Sequence, residues 1–423
     1  MAAAEDVSNN LGIRVDHVAK LIVPSPQQLE SYFSASFLEA ISAAKLAGIF
    51  KTFHDQLGSC RKINFVRSSG QYAGLFELEC EKGYVLPVEI AVNPQGKHLI
   101  DSLRFRQVTR KVLPEQGSTS HSFEDLIVDL KKLPGTVSFL VAKIENDGAQ
   151  YITQLNADKP LAIASASKLY ILSTLIQAIQ KKSARWDQVI ALTERARSFP
   201  SGELHKWILG APITVHTLAT LMISESDNTA ADELALFLGR QNIEETLTLS
   251  GHADPGLNAP FLMTSEFFKL KYDPSGNLTK QFLLKTQDDR REMLDKEIVK
   301  IDRRSIQIQT KAKYIDSIEW FASASDLVRL LSWIVRNAYS GDSKEAIKIL
   351  AINPGSMKAE PWNFVGFKGG SEPGVLNMTY LLCSSNGDWY GVTLGWNSSE
   401  SDLDPTKALI LVQRAIGLIK PDS

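Results

Sequence analysis

Cysteine is scarce in this chain: 423 residues hold three, Cys60, Cys80 and Cys383. Three scattered thiols make neither a disulfide framework nor a zinc site. Cys60 and Cys80 can pair across neighbouring strands, but free buried thiols are the expected state. The seven histidines include no close pair at metal-ligand spacing, and no Gly-x-Ser-x-Gly elbow occurs, so zinc-hydrolase and α/β-hydrolase readings both lose ground. No metal and no cofactor is implied. No apolar run is long enough to cross a membrane. A basic excess is absent too: the formal net charge of -2 gives no field to neutralise phosphates, and nucleic acid is not an expected partner. Met1-Ala-Ala-Ala-Glu5 lacks an apolar core of signal-peptide length, which leaves either a cytoplasmic chain or an exported mature form behind an added Met.

What is present is ordinary for a globular protein, with 44% hydrophobic and 22% charged residues and a length beyond what one core usually supports. After a tail over 1–24, the segment 25–108 reads as a small α+β domain. Leu29, Tyr32, Phe33, Phe37, Leu38 and Ile41, then Leu46, Ile49, Phe50 and Phe53, recur at helical spacing. Strands follow over Lys62 to Arg67, Tyr72 to Cys80, Tyr84 to Val92 and His98 to Gln107, parted by Ser68-Ser-Gly70, Lys82-Gly83 and Asn93-Pro-Gln-Gly96. A polar linker over 109–121 contains Pro114-Glu-Gln-Gly-Ser-Thr-Ser120.

The second domain, over 122–421, opens with a helix from Phe123 to Leu133 and two strands around the hairpin signal Asn146-Asp-Gly148. Helical patterns then fill most of 165–350, including a charged insertion over about 267–318 expected as helix along one side of a cleft. Phe364 to Lys368, Leu376 to Ser384 and Trp389 to Trp396 read as strands, and Thr406 to Ile419 as a closing amphipathic helix. Two strands at the start and three at the end predict one five-stranded antiparallel sheet with an all-helical region inserted between them.

Three motifs fall in order along this domain: Ser165-Ala-Ser-Lys168, Ser226-Asp-Asn228 and Lys368-Gly-Gly370. Singly each is weak, since Ser42-Ala-Ala-Lys45 and Ser275-Gly-Asn277 fit the first two patterns as ordinary caps and turns. Placement carries the signal. Ser165 sits where a helix begins, near unsatisfied N–H groups and the positive end of the macrodipole. Lys168 is one turn on, on the same face, close enough to take a proton from Ser165 if it is neutral. Burial and a second cation, Lys368 on a strand at the cleft, are expected to lower its pKa. Ser226, in a loop between helices, is placed to relay a proton to a leaving group. Asn228 has an amide to offer to substrate and to Lys168.

The motif set resembles the active site of penicillin-recognising serine hydrolases, and the layout of 122–421 resembles the β-lactamase and DD-peptidase fold. The resemblance implies catalytic Ser165, Lys168, Ser226 and Lys368, substrate contacts from Asn228, Gly370 and Ser371, and an oxyanion hole from the backbone N–H groups of Ser165 and Ser371. It also implies a small-molecule ester or amide substrate of β-lactam-like or peptidoglycan-like character. Residues 25–108 resemble the cone-shaped fold of nuclear transport factor 2 and ketosteroid isomerase, as a binding or docking module; Glu89 or Asp101 with Tyr72 or Tyr84 would serve an isomerase. The cone, Ser165-x-x-Lys168 and Phe367-Lys-Gly-Gly-Ser-Glu-Pro-Gly374 together resemble the two-domain β-lactamase-like protein of clavulanic acid biosynthesis and its relatives, a group linked to weak ester cleavage on cephalosporin-like compounds.

Two departures matter. The Glu-x-x-Leu-Asn stretch that follows Ser-Asp-Asn in class A β-lactamases and clears their acyl-enzyme is missing; Glu266 and Glu319 are the candidate substitutes, a salt-bridged or surface role being the commoner fate for each. Gly369 stands where a Thr or Ser is usual, so the substrate carboxylate loses a hydroxyl that Ser371 is placed to supply. The expected activity is therefore an esterase or amidase with poor or no β-lactam turnover. The alternatives are a weak β-lactamase or DD-carboxypeptidase and, from another class, a penicillin-binding sensor or non-catalytic binding protein.

Overall fold

The structure, a computed structural model, describes residues 13–20, 25–70, 72–81, 84–94, 98–105, 109–110, 122–146, 148–309, 311–339, 341–355, 357 and 361–420. Most of the expected tail and linker, the Lys82-Gly83 turn, part of the turn over 93–96 and Asp147 of the hairpin signal lie outside these residues. The chain divides into two compact units, Met1–Thr119 and Ser120–Ser423.

In the first unit, helices Pro26–Glu30, Ala35–Ala40 and Ala43–Leu57 precede an antiparallel sheet of strands Cys60–Gly70, Ala73–Cys80, Tyr84–Val92 and Ile100–Phe105, in that order. Ser42 accepts the N–H of Lys45 and opens the third helix, so Ser42-Ala-Ala-Lys45 is a helix cap. Strand Ala73–Cys80 buries every second residue. Phe76, Leu78, Val88 and Ile90 meet Leu29, Phe33 and Phe50 in one core, which makes the unit α+β. Thr109–Arg110 pair with Tyr84 and Val85, so the sheet reaches into the segment expected as linker.

Cys60 and Cys80 are direct partners in the register of the first two strands and form a disulfide, with Cα atoms 3.9 Å apart. This corrects the expectation of free thiols: antiparallel pairing sets opposed residues side by side whatever their separation in sequence. Cys383 is free.

In the second unit the sheet order is Phe364–Glu372, Val375–Cys383, Trp389–Asn397, Thr136–Glu145, Gly148–Leu155, antiparallel throughout. The two opening strands and three closing strands thus join as expected. Three of the strands read as continuous apolar runs because both faces are covered. Val137, Phe139 and Val141 point to one face, under Leu126, Leu130, Leu411 and Val412 of helices Phe123–Lys131 and Pro405–Leu418. Leu140 and Ala142 point to the other, against Ala324 and Val328 of helix Ala324–Ala338.

Helix Lys168–Gln180 forms the centre of the helical layer, with Leu169, Tyr170, Ile171, Leu172, Leu175 and Ile176 all buried; a helix apolar on every side belongs in a core. The charged insertion folds as helices Asn277–Leu284 and Gln287–Lys296 with short 3-10 turns. Its Phe282, Met293, Leu294 and Ile298 enter the helical core, while pairs such as Lys296 with Glu292 stay exposed.

Candidate active site

Ser165 lies in the 3-10 turn Ala164–Ser167, which runs straight into helix Lys168–Gln180. Ala164, just before it, has φ 45°, a left-handed conformation that a residue with a Cβ adopts only when its surroundings hold it there. Strand Phe364–Glu372 passes close to this turn. A Cβ on Gly370 would stand 2.0 Å from the Ile163 carbonyl oxygen and 2.8 Å from the Ser165 nitrogen, so only glycine fits.

Lys168 has no exposed surface, and its Nζ meets four oxygens. Ser226 O and Asn228 Oδ1 lie at 2.6 Å, Ser165 Oγ and Ser226 Oγ at 3.2 Å. The first two are carbonyls, which only accept; the others are hydroxyls, which also donate. A neutral amine has two N–H groups for the carbonyls and one lone pair left for a hydroxyl proton.

Ser226 sits between helices Val215–Ser224 and Asn228–Leu238 with φ 55°. Its neighbour Asp227 holds that bend: one carboxylate oxygen caps Ala230 N at 2.9 Å, the other takes Glu203 N at 2.7 Å and Leu204 N at 2.9 Å. From the strand, Lys368 Nζ donates to Ser226 Oγ at 3.0 Å and to Gly369 O at 2.7 Å. The Ser226 hydroxyl therefore bridges the two lysines. Ser371 is exposed at the end of the same strand. The structure thus gathers Ser165, Lys168, Ser226, Asn228, Lys368 and Gly370 around one point, with Ser371 next along the strand.

Asp232 carried no role in the sequence reading. Its signal is its position one turn after Asn228 on the same helix. Buried, it accepts Thr264 N at 2.6 Å, Thr264 Oγ1 at 2.8 Å and Ser265 N at 2.8 Å, and Thr264 Oγ1 lies 3.2 Å from Asn228 O. It anchors the start of helix Thr264–Lys271 to the Asn228 helix.

Burial lowers Lys168 from 10.5 to about 7, outweighing the upward pull of Asp232 and Asp227. Lys368 is held well below its usual value by burial first and by the Lys168 charge second. The expectation named burial and the Lys368 cation together. Burial acts at Lys168 as expected, while the repulsion between the two lysines registers at Lys368, because a dry pair of ammonium groups does not keep both charges. Desolvation also raises Asp232 from 3.8 to about 6 against the hydrogen bonds it accepts from Thr264 and Ser265.

Neither candidate carboxylate is free. Glu266 makes a two-pronged pair with Arg240, at 2.7 and 2.9 Å, and caps Met263 N at 2.9 Å. Glu319 binds Lys271 Nζ at 2.9 Å and Trp320 N at 3.1 Å. The glycine at 369 has a packing cause: a Cβ there would lie 2.7 Å from the tip of the Phe367 ring, which itself packs on Tyr380 at 4.5 Å between centroids.

A five-stranded antiparallel sheet backed by two terminal helices and faced by an inserted helical layer is the frame of a β-lactamase-like serine hydrolase. This chain belongs to the beta-lactamase enzyme family, whose model matches residues 120–352. The match contains Ser165, Lys168, Ser226 and Asn228 and ends before Lys368. No curated protein matches the chain in sequence. Among solved structures it is similar to a β-lactamase from Sphaerobacter thermophilus, at 18% identity and TM-score 0.48, over 71% of this chain and 97% of that one. It is similar also to a β-lactamase from Chitinophaga pinensis, at 14% identity and TM-score 0.47, over 70% and 96%. A third is PBP-A, solved as an acyl-enzyme complex with penicillin G, at 13% identity and TM-score 0.47, over 70% and 96%.

Proposed function

We propose that Ser165 is the nucleophile of an esterase or amidase acting on β-lactam-like compounds through an acyl-enzyme, with poor or no β-lactam turnover. The observation that carries this reading is the Lys168 amine, buried and brought to about 7, with two carbonyls for its N–H groups and the Ser165 hydroxyl 3.2 Å away for its lone pair. Ser165 Oγ attacks the acyl carbon while its proton passes to Lys168. The developing oxyanion takes the N–H groups of Ser165 and Ser371, worth roughly 10²- to 10³-fold each in rate. The proton then moves from Lys168 through the Ser226 hydroxyl, held from the far side by Lys368, to the leaving oxygen or nitrogen. Asn228 keeps the relay aligned and faces the substrate amide.

Poor β-lactam turnover is supported by the fate of the carboxylates. Glu266 is clamped by Arg240 and Glu319 by Lys271, so a water attacking the acyl-enzyme has Lys168 as its base. A small acyl group such as acetate leaves room for that water. An opened β-lactam, which stays attached and bulky, stalls there, as the sensor alternative also requires. The first unit is read as a cone-like binding or docking module without chemistry of its own, and the two-domain β-lactamase-like protein of clavulanic acid biosynthesis is the group this arrangement resembles.

The test is an intact-mass time course with a cephalosporin bearing a 3′-acetoxy group, on the native chain and on Ser165→Ala, with the small-molecule products followed in parallel. Ser165-dependent acetate release with the ring intact is the expected outcome. A persistent ring-opened adduct on the native chain alone means the sensor reading, rapid ring opening with turnover means a β-lactamase, and neither adduct nor product rejects Ser165 as a nucleophile toward this class.

A further inference from the structure

The strand that supplies Lys368 and Gly370 places a third side chain on the same face. Successive strand residues point to opposite sides, so Glu372 follows Lys368 and Gly370 towards the helical layer, next to Ser371. There it meets a buried cluster. Lys271, at the end of helix Thr264–Lys271, contacts both Glu319 and Glu372, and the side chains of the three are 0%, 0% and 8% exposed, Lys271 first. Lys271 also donates to Ile318 O at 3.2 Å and lies 4.7 Å from the centroid of the Phe267 ring.

Two carboxyl groups face one ammonium. Were both ionised, the cluster would keep an uncompensated negative charge out of water. The donors are also unevenly shared: Glu319 receives Lys271 and the Trp320 N–H, whereas Oε2 of Glu372 is buried with no donor. A proton on Glu372 resolves both faults, removing the excess charge and turning an acceptor without a partner into a donor. Glu319 lies within side-chain hydrogen-bonding reach of Glu372 and is the acceptor. Tyr272 also faces the pair and is pushed upward by burial and by both carboxylates. Burial and Glu319 raise Glu372 to about 10.

We propose that Glu372 is a positioning residue: held as a neutral carboxylic acid beside Lys271, it donates to Glu319 and so fixes the strand end on which Ser371 presents its N–H to the nucleophile turn. The proposal rests on Ser165 acylation for one of its two readouts. Ionising Glu372 repels Glu319 and loosens the strand end, so acylation falls on the alkaline side.

Glu372→Gln keeps a neutral side chain of the same shape with donors for Glu319. In the full-length protein at neutral pH it is expected to acylate with the 3′-acetoxy cephalosporin within about threefold of the native rate, less than 1 kcal/mol, and to extend the alkaline limit of the rate upward. The second readout needs no activity: the infrared spectrum of the native protein at neutral pH carries a carboxylic-acid C=O band that Glu372→Gln lacks and that disappears as pH rises past about 10. A tenfold or larger loss of acylation in Glu372→Gln overturns the proposal, as does an alkaline limit identical to native or the absence of that band. If the native chain forms neither adduct nor acetate, the reading of Ser165 fails by itself and the infrared band still decides the state of Glu372.

Discussion

An ammonium is far harder to bury than an amine, and Lys168 is where this chain exploits the difference. Its value near 7 means that acylation should rise with pH through about 7 and hold level until the alkaline fall set by Glu372, measured as the rate of adduct formation across pH. Lys168→Arg, which stays charged and offers no lone pair, should lose about 10²- to 10⁴-fold, the range for a positioned base. The same burial has a stability sign. Between about 7 and 10.5 the unfolded chain still holds a proton that the folded chain has released, so stability should climb with pH across that window. Lys168→Met removes the handicap: its melting temperature at neutral pH should equal or exceed the native value while acylation is abolished, and a variant that melts lower yet still acylates would sink the assignment. Residue types at this scale were readable in advance, because a serine and a lysine one turn apart on an otherwise apolar helix have few reasons to coexist. The division of charge between the lysines was not readable, since it depends on how dry each site is. Asp232 was silent for a similar reason: its partners, Thr264 and Ser265, are remote in sequence.

At the level of elements, the site is a meeting of a helix start with a strand, and the strand is the more demanding partner. The close pass at Gly370 leaves no room for a methyl group: the nearest atoms are the Ile163 carbonyl oxygen and the nitrogens of Ser165 and Ala166, all backbone and unable to swing aside. Gly370→Ala should therefore displace the strand from the nucleophile turn and cut acylation by about 10²-fold or more, the loss of an oxyanion donor. The core behind it, Val365, Tyr380 and Val392 among others, should keep the sheet, so far-ultraviolet circular dichroism should match the native protein; native-like acylation would show that the strand has slack. Hairpin and helix limits were legible because turn residues and apolar periods are local signals. Register and close approach are not local. The Cys60–Cys80 bridge and the Phe367 ring that occupies the space beside Gly369 both depend on which residue ends up opposite or alongside which.

Across the whole molecule, the residues gathered at the candidate site all belong to the unit Ser120–Ser423, and the disulfide belongs wholly to the other, Met1–Thr119. Two consequences separate the units experimentally. Alkylation of the unfolded, unreduced chain should label one thiol, Cys383, and three after reduction; three labels without reductant would mean that the cross-strand pair is open. The fragment 120–423 has its own sheet, both covering helices and the complete lysine pair, so it should fold and acylate at Ser165 within about threefold of the full chain, a difference below 1 kcal/mol. If the fragment folds but acylates far more slowly, the first unit takes part in assembling the reactive geometry and cannot be read as a passive module. If it acylates normally but loses preference among ester or amide substrates, the first unit acts on substrate choice, which is the one role that a binding domain joined to a self-sufficient hydrolase can play without touching the bond that breaks.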